Sequence, residues 1–237
     1  NESIDYLLAD ALQQKGMSVG SLFVNPKAME ILYPYIKNKL QGLASMASTV
    51  ANEFVNHSGG AYGADTFWDL IGREFGVEEH KHYREEGNKS LSKKLRAKGV
   101  EATVITKEQL EAAREEVKKL LGEEYPDTIE GNLKVRNYYQ VANADAVYAI
   151  GTIDPTTSPH VLGGTDVAVQ LGIKMDKPVY VFDLDTRKWY TQDKDFLKNG
   201  YDSSKHEWNY NGWKETTTPT LTKNFAGVGT RNIEEYE

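Results

Sequence analysis

The spacing of apolar residues changes along the chain, and it predicts helices in some segments and strands in others. Up to about residue 54, apolar side chains stand three and four positions apart, as in amphipathic helices. Farther along, short apolar runs alternate with amphipathic segments. The runs predict strands at 53–58, 102–105, 146–150 and 177–183 and a last strand within 221–231, and helices are predicted at 66–76, 107–121, 132–141 and 166–171.

Two polar segments interrupt this alternation. Residues 78–86 are mostly charged and are predicted to be a solvated loop that contains His80 and His82. Two histidines at this spacing could chelate a metal from one face of a strand, but no third ligand stands at a fixed distance, so no metal site is expected. Residues 186–219 are rich in Trp and Tyr. They predict a hairpin or loop insert with a small aromatic core, and base stacking is the alternative.

Strands that alternate with helices favour a mostly parallel sheet. We expect an α/β, Rossmann-like sheet with helices on both faces, in a single domain over residues 1–237. Residues 1–42 are predicted to form an N-terminal helical extension of this domain. A chain of 237 residues is long enough to bury one large core.

Composition removes several classes of chemistry. Without cysteine, the chain has no disulfide, Cys-ligated zinc, iron–sulfur cluster or thiolate nucleophile, and it suits the reducing cytoplasm. No apolar run approaches the ~20 residues of a membrane helix, and the polar start at 1–5 is unlike a secretory signal, so no membrane partner is expected. The 28 Lys and Arg against 35 Asp and Glu leave a net charge of −7, which disfavours nucleic acid as a partner. Assembly into a homo-oligomer stays open.

Three predicted strands end in glycine-rich turns, at residues 58–65, at Gly151 with 163–165, and at 227–231. Such a turn before a helix directs backbone N–H groups and the positive end of the helix dipole outward, where a phosphate is stabilised. None of the three has the spacing of a Walker loop or of the dinucleotide-binding GxGxxG motif. A tight turn can contain glycine for packing alone, but three turns at one sheet edge favour a ligand site.

The candidate ligand-binding residues belong to these turns and to the segment before the second one. They are Ser58, Gly59, Gly60, Gly63, Asp65, Arg136, Asn137, Gly151, Thr152, Gly163, Gly164, Thr165, Gly227, Gly229, Thr230 and Arg231. Asp65 could bind a ribose hydroxyl, or it could cap the helix predicted to begin at Thr66. Arg231 is favoured as a phosphate ligand, whereas Arg136 is equally consistent with a ligand contact and a surface ion pair. His160 precedes the second turn and could contact its ligand.

The first turn resembles a known family. Residues 58–65, SGGAYGAD, are similar to the SGGAxGAD turn of the SLOG superfamily, a Rossmann-like group that includes LOG phosphoribohydrolases, molybdenum-cofactor carriers and DprA. Residues 144–151 followed by 163–165 resemble the second ligand-binding half of that family. Ordinary members have a strand with a G(x)GSR-like turn ahead of SGGAxGAD, but here the similar residues 225–231 come near the end of the chain. The resemblance therefore implies a circular permutation, as in the YpsA-like branch.

The resemblance also implies a ligand of the nucleoside phosphate, ADP-ribose or cyclic-nucleotide type. The leading expectation is a sensor or sequestering protein, of the kind that acts in conflict between phage and host, with no further cofactor. The alternative is a phosphoribohydrolase that cleaves an N-glycosidic bond. The LOG turn PGGxGTxxE supplies a Glu that residues 162–170 lack, so Asp65 and Asp166 are the candidate catalytic carboxylates. A third hypothesis is a protein-interaction module with an empty pocket.

Overall fold

A computed structural model of the chain describes residues 53–194 and 212–233. The helices predicted before residue 53, including the extension over 1–42, lie outside these ranges, as do the middle of the predicted insert and its Trp208 and Tyr210. Within the two ranges, helices pack on both faces of an eight-stranded, mostly parallel sheet. The predicted α/β, Rossmann-like class is confirmed.

The sheet has an unusual relation to chain order. Its strands along the chain are β1 (Val55–Ser58), β2 (Glu79–Glu85), β3 (Thr103–Ile105), β4 (Ala146–Gly151), β5 (Val179–Asp183), β6 (Lys188–Gln192), β7 (Trp213–Thr216) and β8 (Asn224–Gly229). They lie side by side in the order β3-β2-β1-β8-β4-β5-β6-β7. The pairings from β3 to β5 are parallel, and β6 and β7 add two antiparallel strands. The last strand along the chain, β8, therefore lies in the middle of the parallel part, between β1 and β4.

Six helices are described, and their ends are encoded locally. They are α1 (Ala64–Glu74), α2 (Lys93–Ala97), α3 (Lys107–Leu121), α4 (Ile129–Val135), α5 (Asn137–Ala142) and α6 (Thr165–Lys174). In α3, Thr106 and Gln109 form a reciprocal capping box, and Gly122 ends the helix in the left-handed conformation. The helices α1 and α6 instead begin directly after glycines and have no side-chain cap. Their first turns thus leave backbone N–H groups for other acceptors.

The core has two layers because successive strand residues point to opposite faces of the sheet. On one face, Trp68 of α1 packs edge-on against Tyr148 and Phe225, with ring centroids 6.4 Å and 6.0 Å apart. On the other face, Val147, in the strand position next to Tyr148, is buried in a cluster formed with helices α3, α5 and α6. The aromatic residues of β6 and β7 join these two layers. Trp189 packs on Phe182, and Trp213 is buried on the opposite face.

The prediction of a loop at 78–86 is wrong, because most of this segment is strand β2. Two of its side chains, His82 and Tyr83, are buried with hydrogen-bond partners. His82 Nε2 donates to Asp69 Oδ2 at 2.7 Å, and the Tyr83 hydroxyl donates to His57 Nδ1 at 2.9 Å. A count of charged residues cannot reveal these pairings, since each partner comes from a different element.

Candidate functional site

A cavity of about 1150 Å³ opens at the carboxyl edge of the parallel strands. Its walls come from the segments after β1, β4 and β8 and from the junction of α4 and α5. The carboxyl ends of parallel strands meet at one edge, and this edge is where ligands bind in open α/β sheets. The predicted turns therefore converge on one space.

The structure divides the predicted residues into two sets. The cavity wall includes Asp65, Arg136, Asn137, Gly163, Gly164, Thr165, Asp166, Gly229, Thr230 and Arg231. The wall does not include Ser58, Gly59, Gly60, Gly63, Gly151, Thr152 and Gly227. Several residues of the second set have a role in packing instead.

The first turn, residues 58–65, uses its glycines for protein contacts. Gly60 and Gly63 have positive φ angles of 64° and 81°. A Cβ at Gly60 would lie 2.5 Å from Leu91 Cδ2, and one at Gly63 would lie 2.6 Å from the carbonyl oxygen of Thr230. Two of the turn's N–H groups are also occupied, since that of Ala61 donates to Asp65 Oδ2 and that of Ala64 to the same Thr230 oxygen. The first turn is thus mainly a close contact between two loops.

The glycines of β8 likewise serve packing. A Cβ at Gly227 would lie 2.6 Å from Trp68, and one at Gly229 would lie 2.4 Å from the carbonyl oxygen of Ile150. The Ser58 hydroxyl donates to the carbonyl oxygen of Gly227 at 2.6 Å. These contacts hold β8 between α1 and β4 and fix the position of the loop that follows it.

The second turn differs because its glycines face open space. No atom lies within 4 Å of a Cβ built on Gly163 or Gly164, and both residues line the cavity. In the described part of the chain, no acceptor is hydrogen-bonded to the N–H groups of Gly163, Gly164 and Thr165. These N–H groups lie at the start of helix α6, so the helix dipole adds positive potential beside them. The second turn has the features of an anion-binding turn.

The Asp65 carboxylate and the Arg136 guanidinium both lie close to the backbone of Gly59. A Cβ on Gly59 would lie 2.5 Å from Arg136 Nη2 and 2.8 Å from Asp65 Oδ2. The alternative of Asp65 as a helix cap is wrong, because α1 begins at Ala64 and its cap position is Gly63. The carboxylate instead faces the cavity and the arginine.

Arg136 does not form the surface ion pair that was one of its two interpretations. It is 6% exposed, and its Nη1 donates to the carbonyl oxygens of Gly59 at 2.5 Å and Tyr83 at 2.9 Å. Burial, followed by the positive charge of Arg84, lowers the pKa of Arg136 to about 9. The guanidinium is still charged at pH 7, and it is held there by backbone dipoles.

A further arginine, Arg84 at the end of β2, was missed by the sequence reasoning. It is 7% exposed, and its Nε is buried with no hydrogen-bond partner among the residues that the structure describes. Burial lowers its pKa, and the charges of Asp65 and Arg231 act on it as well. In the sequence, Arg84 directly follows His82 and Tyr83 within a charged run. Because this run was predicted to be a solvated loop, the burial of Arg84 was not expected.

Charge at this end of the cavity is unbalanced. Arg84 and Arg136 are buried, and Arg231 is exposed at the rim, 5.4 Å above the Tyr62 ring. Beside these three cations stand the carboxylates of Asp65 and Glu85, and Glu85 also accepts from the Asn132 amide. Burying cations without full compensation costs free energy, and a bound anion would remove that cost.

Asp166 forms a dyad with His160. His160 Nδ1 lies 2.6 Å from Asp166 Oδ2, and Asp166 Oδ1 accepts from the N–H of Val161 at 3.0 Å. The Gln170 amide donates to the same Oδ1 and, at 2.6 Å, to the carbonyl oxygen of Pro159. Both oxygens of Asp166 are therefore engaged by this chain, and His160 is the member with a side chain one-third exposed.

The other histidines of the region are buried away from the cavity wall. His80 and His82 flank Asp69 from one face of β2, at 3.6 Å and 2.7 Å from its Oδ2. Asp69 also accepts from Arg73 Nε at 2.6 Å. Burial lowers the pKa of His80 to about 4, and burial also lowers the pKa of His57. This cluster supports the first turn from below, since His82 Cβ lies 3.1 Å from the Cβ position of Gly60.

In the described ranges, no group of three or more His, Asp or Glu side chains is arranged to hold a metal ion. No helix of these ranges combines the length and the apolar character that crossing a membrane requires. Comparison with protein-family models, with curated proteins and with solved structures finds no match. The support for a function therefore comes from the cavity itself.

Proposed function

We propose that the cavity binds a nucleotide or nucleotide-derived small molecule and that the protein acts as its sensor or sequestering protein. One observation carries this proposal: Arg136 and Arg231 line the same cavity as a glycine turn whose N–H groups have no acceptor among the described residues, and the buried Arg84 adds its charge to theirs. An anion with several oxygens would satisfy both sides at once.

Phosphate is the anion that this geometry suits best. Backbone N–H groups at a helix start take phosphate oxygens, and guanidinium groups add paired, charge-assisted hydrogen bonds. In this arrangement the N–H groups of Gly163, Gly164 and Thr165 hold one side of the phosphate. Arg231 at the rim and the buried Arg136 supply charge from the other side.

Asp65 supports the assignment of the ligand as a nucleotide. Its Oδ2 accepts the N–H of Ala61, and its Oδ1 has no donor among the residues that the structure describes. A ribose hydroxyl can donate to that free oxygen, whereas a fully ionised phosphate cannot. A carboxylate beside an arginine cluster also selects against a ligand that is only an inorganic anion.

The outer rim of the cavity offers an apolar surface for a base. Ile129 and Leu162 line it and are 68% and 50% exposed, and Tyr125 lines the same wall. The cavity volume of about 1150 Å³ slightly exceeds the usual ~300–1,000 Å³ of small-molecule pockets. It has room for a ligand larger than a nucleoside monophosphate, such as ADP-ribose.

We also infer that the chain is a circularly permuted relative of the SLOG superfamily that works in the cytoplasm. The position of β8, last along the chain but central in the sheet, supports a permuted order. Residues 58–65 and 163–165 stand at the same edge, as the resemblance implies.

The test is thermal unfolding of the protein with AMP, ADP-ribose, NAD and cyclic nucleotides, with adenosine and inorganic phosphate as controls. A ligand at 100 times its Kd stabilises by about 2.7 kcal/mol, which raises Tm by roughly 5–11 °C at this chain length. Nucleotides are expected to raise Tm more than either control does. An absence of any shift across the panel would refute nucleotide binding.

A further inference from the structure

The dyad of His160 and Asp166 lies beside the place proposed for the phosphate. Asp166 belongs to the first turn of α6, and His160 reaches it from the loop that precedes the glycine turn. Both line the cavity. A phosphate on the N–H groups of Gly163, Gly164 and Thr165 would therefore be close to the imidazole.

The contacts of the dyad give its two members different tasks. The Asp166 oxygens accept from His160 Nδ1, Val161 N–H and the Gln170 amide, so the carboxylate is fixed in place. When Nδ1 donates to Asp166, Nε2 carries the lone pair, and it has no partner within the described residues. An imidazole that a carboxylate orients in this way, with its other nitrogen available, can act as a general base.

We propose that His160 is a catalytic general base and acid for hydrolysis of a phosphoester bond in the bound nucleotide, with Asp166 as its positioning residue. This inference rests on the proposed nucleotide site. It replaces the expectation that Asp166 acts directly on a glycosidic bond, because both of its oxygens are already occupied by this chain.

The step balances with water as the only co-reactant. His160 Nε2 takes a proton from water, and the water oxygen forms a bond to phosphorus. The bond from phosphorus to the leaving oxygen breaks, and that oxygen takes the proton back from the imidazolium. The N–H groups of the second turn and the arginines Arg136 and Arg231 stabilise the charge that develops on the phosphoryl oxygens.

The buried Arg84 supports this assignment independently of the dyad. Its Nε is unpartnered within the described part of the chain and lies in the arginine cluster that faces Asp65. The Asp65 and Glu85 carboxylates offset the charge of the arginine cluster only in part, so a transition state with added negative charge would gain more stabilisation from it than the ground state does.

The experiment follows 2′,3′-cyclic AMP, 3′,5′-cyclic AMP, AMP and ADP-ribose by chromatography after incubation with the full chain, with Tm shifts measured in parallel. We expect products of cleavage at a phosphorus–oxygen bond and no free base. For H160Q we expect kcat to fall by at least 100-fold, with KM within about threefold. For D166N we expect a smaller loss of kcat and a shifted pH–rate profile, which a purely structural role would not produce.

The matched control is D176N, since Asp176 carries an exposed carboxylate paired with Lys194 outside the cavity. It should leave kcat unchanged, and H160N serves as a second variant if H160Q alters folding. Binding without turnover would overturn the hydrolase inference and leave the proposed function intact. Turnover unaffected by H160Q, or release of free base, would overturn the role of His160. A lack of both binding and turnover would overturn the proposed function as well.

Discussion

Two glycine turns of similar sequence character have opposite relations to the rest of the molecule. In the turn at 58–65, a Cβ on Gly63 would lie 2.6 Å from a backbone oxygen, whereas one on Gly164 would contact nothing within 4 Å. The first turn gives N–H groups to Thr230 and Asp65, and the second keeps its own N–H groups without an acceptor among the described residues. Glycine in the first turn thus allows close packing of protein on protein, and in the second it leaves room for a ligand.

The largest expected effect is on folding, through Gly63→Ala. A positive φ costs ~1–2 kcal/mol for alanine, and the overlap with the backbone of Thr230 and Arg231 adds ~1–3 kcal/mol. We expect the free energy of unfolding to fall by about 3 kcal/mol and Tm to fall by roughly 10 °C. Chemical denaturation measures the free energy of unfolding, and a thermal melt measures Tm. A variant as stable as the wild type would show that the first turn is not a packing contact.

The next effect is the acid sensitivity of the cluster beneath the first turn. Burial lowers the pKa of His80 to about 4, so between pH 6.5 and 4 the unfolded chain binds a proton that the folded chain does not. The contribution of His80 to the free energy of unfolding is therefore fully present above pH 6.5. It decreases by roughly 3 kcal/mol as the pH falls toward 4. Asp69 has a lowered pKa through its bonds to His82 and Arg73, which outweigh its burial, and it adds a loss below about pH 3.8.

Urea unfolding at several pH values measures this slope. The variant His80→Gln removes the titrating group and is expected to flatten the curve between pH 6.5 and 4. An unchanged slope in that variant would assign the acid sensitivity to other groups, with His57 the first alternative because its pKa is also lowered by burial.

A smaller effect, on binding alone, is expected for Arg231→Ala. Arg231 is exposed, so its removal should leave stability unchanged, whereas the loss of a charged hydrogen bond to phosphate should weaken nucleotide affinity roughly 10- to 100-fold. Arg96→Ala is the matched control, since Arg96 is exposed on α2 and is not part of the cavity wall. Calorimetric titration at low and high salt compares the two, and equal affinities would remove Arg231 from the site.

The smallest expected effect is that of Gly164→Ala, which tests the second turn alone. Its φ of −65° suits alanine, and its Cβ would enter open space, so stability should stay the same or rise by ~0.4–1 kcal/mol. The methyl group would occupy space in front of the N–H groups, and we expect affinity for a nucleotide to fall about 10-fold. Unchanged affinity would mean that the second turn, like the first, has glycine for reasons other than a ligand.

Some features of the site could be predicted from the sequence because they depend on neighbours in the chain. The strand–glycine–helix units at 58–65 and 163–165 were found in this way, since each combines a short apolar run, a turn and an amphipathic segment. The burial of Arg136 could not be predicted, because its acceptors on Gly59 and Tyr83 are distant in sequence. Arg84 was missed because a charged run predicts solvent exposure, and its burial depends on elements that are distant in the chain.

By itself, the sequence determined the α/β class, the existence of the glycine turns and the absence of cysteine chemistry. Composition gives the last of these directly, and the spacing of apolar residues shows which face of each helix or strand is buried. Only the tertiary structure decided which glycines serve packing, where β8 enters the sheet and which charges share the cavity edge. These features depend on contacts between residues far apart in the chain. The packing of β8 on Trp68 and the contacts of Arg136 with Gly59 and Tyr83 arise only when the strands assemble into the sheet.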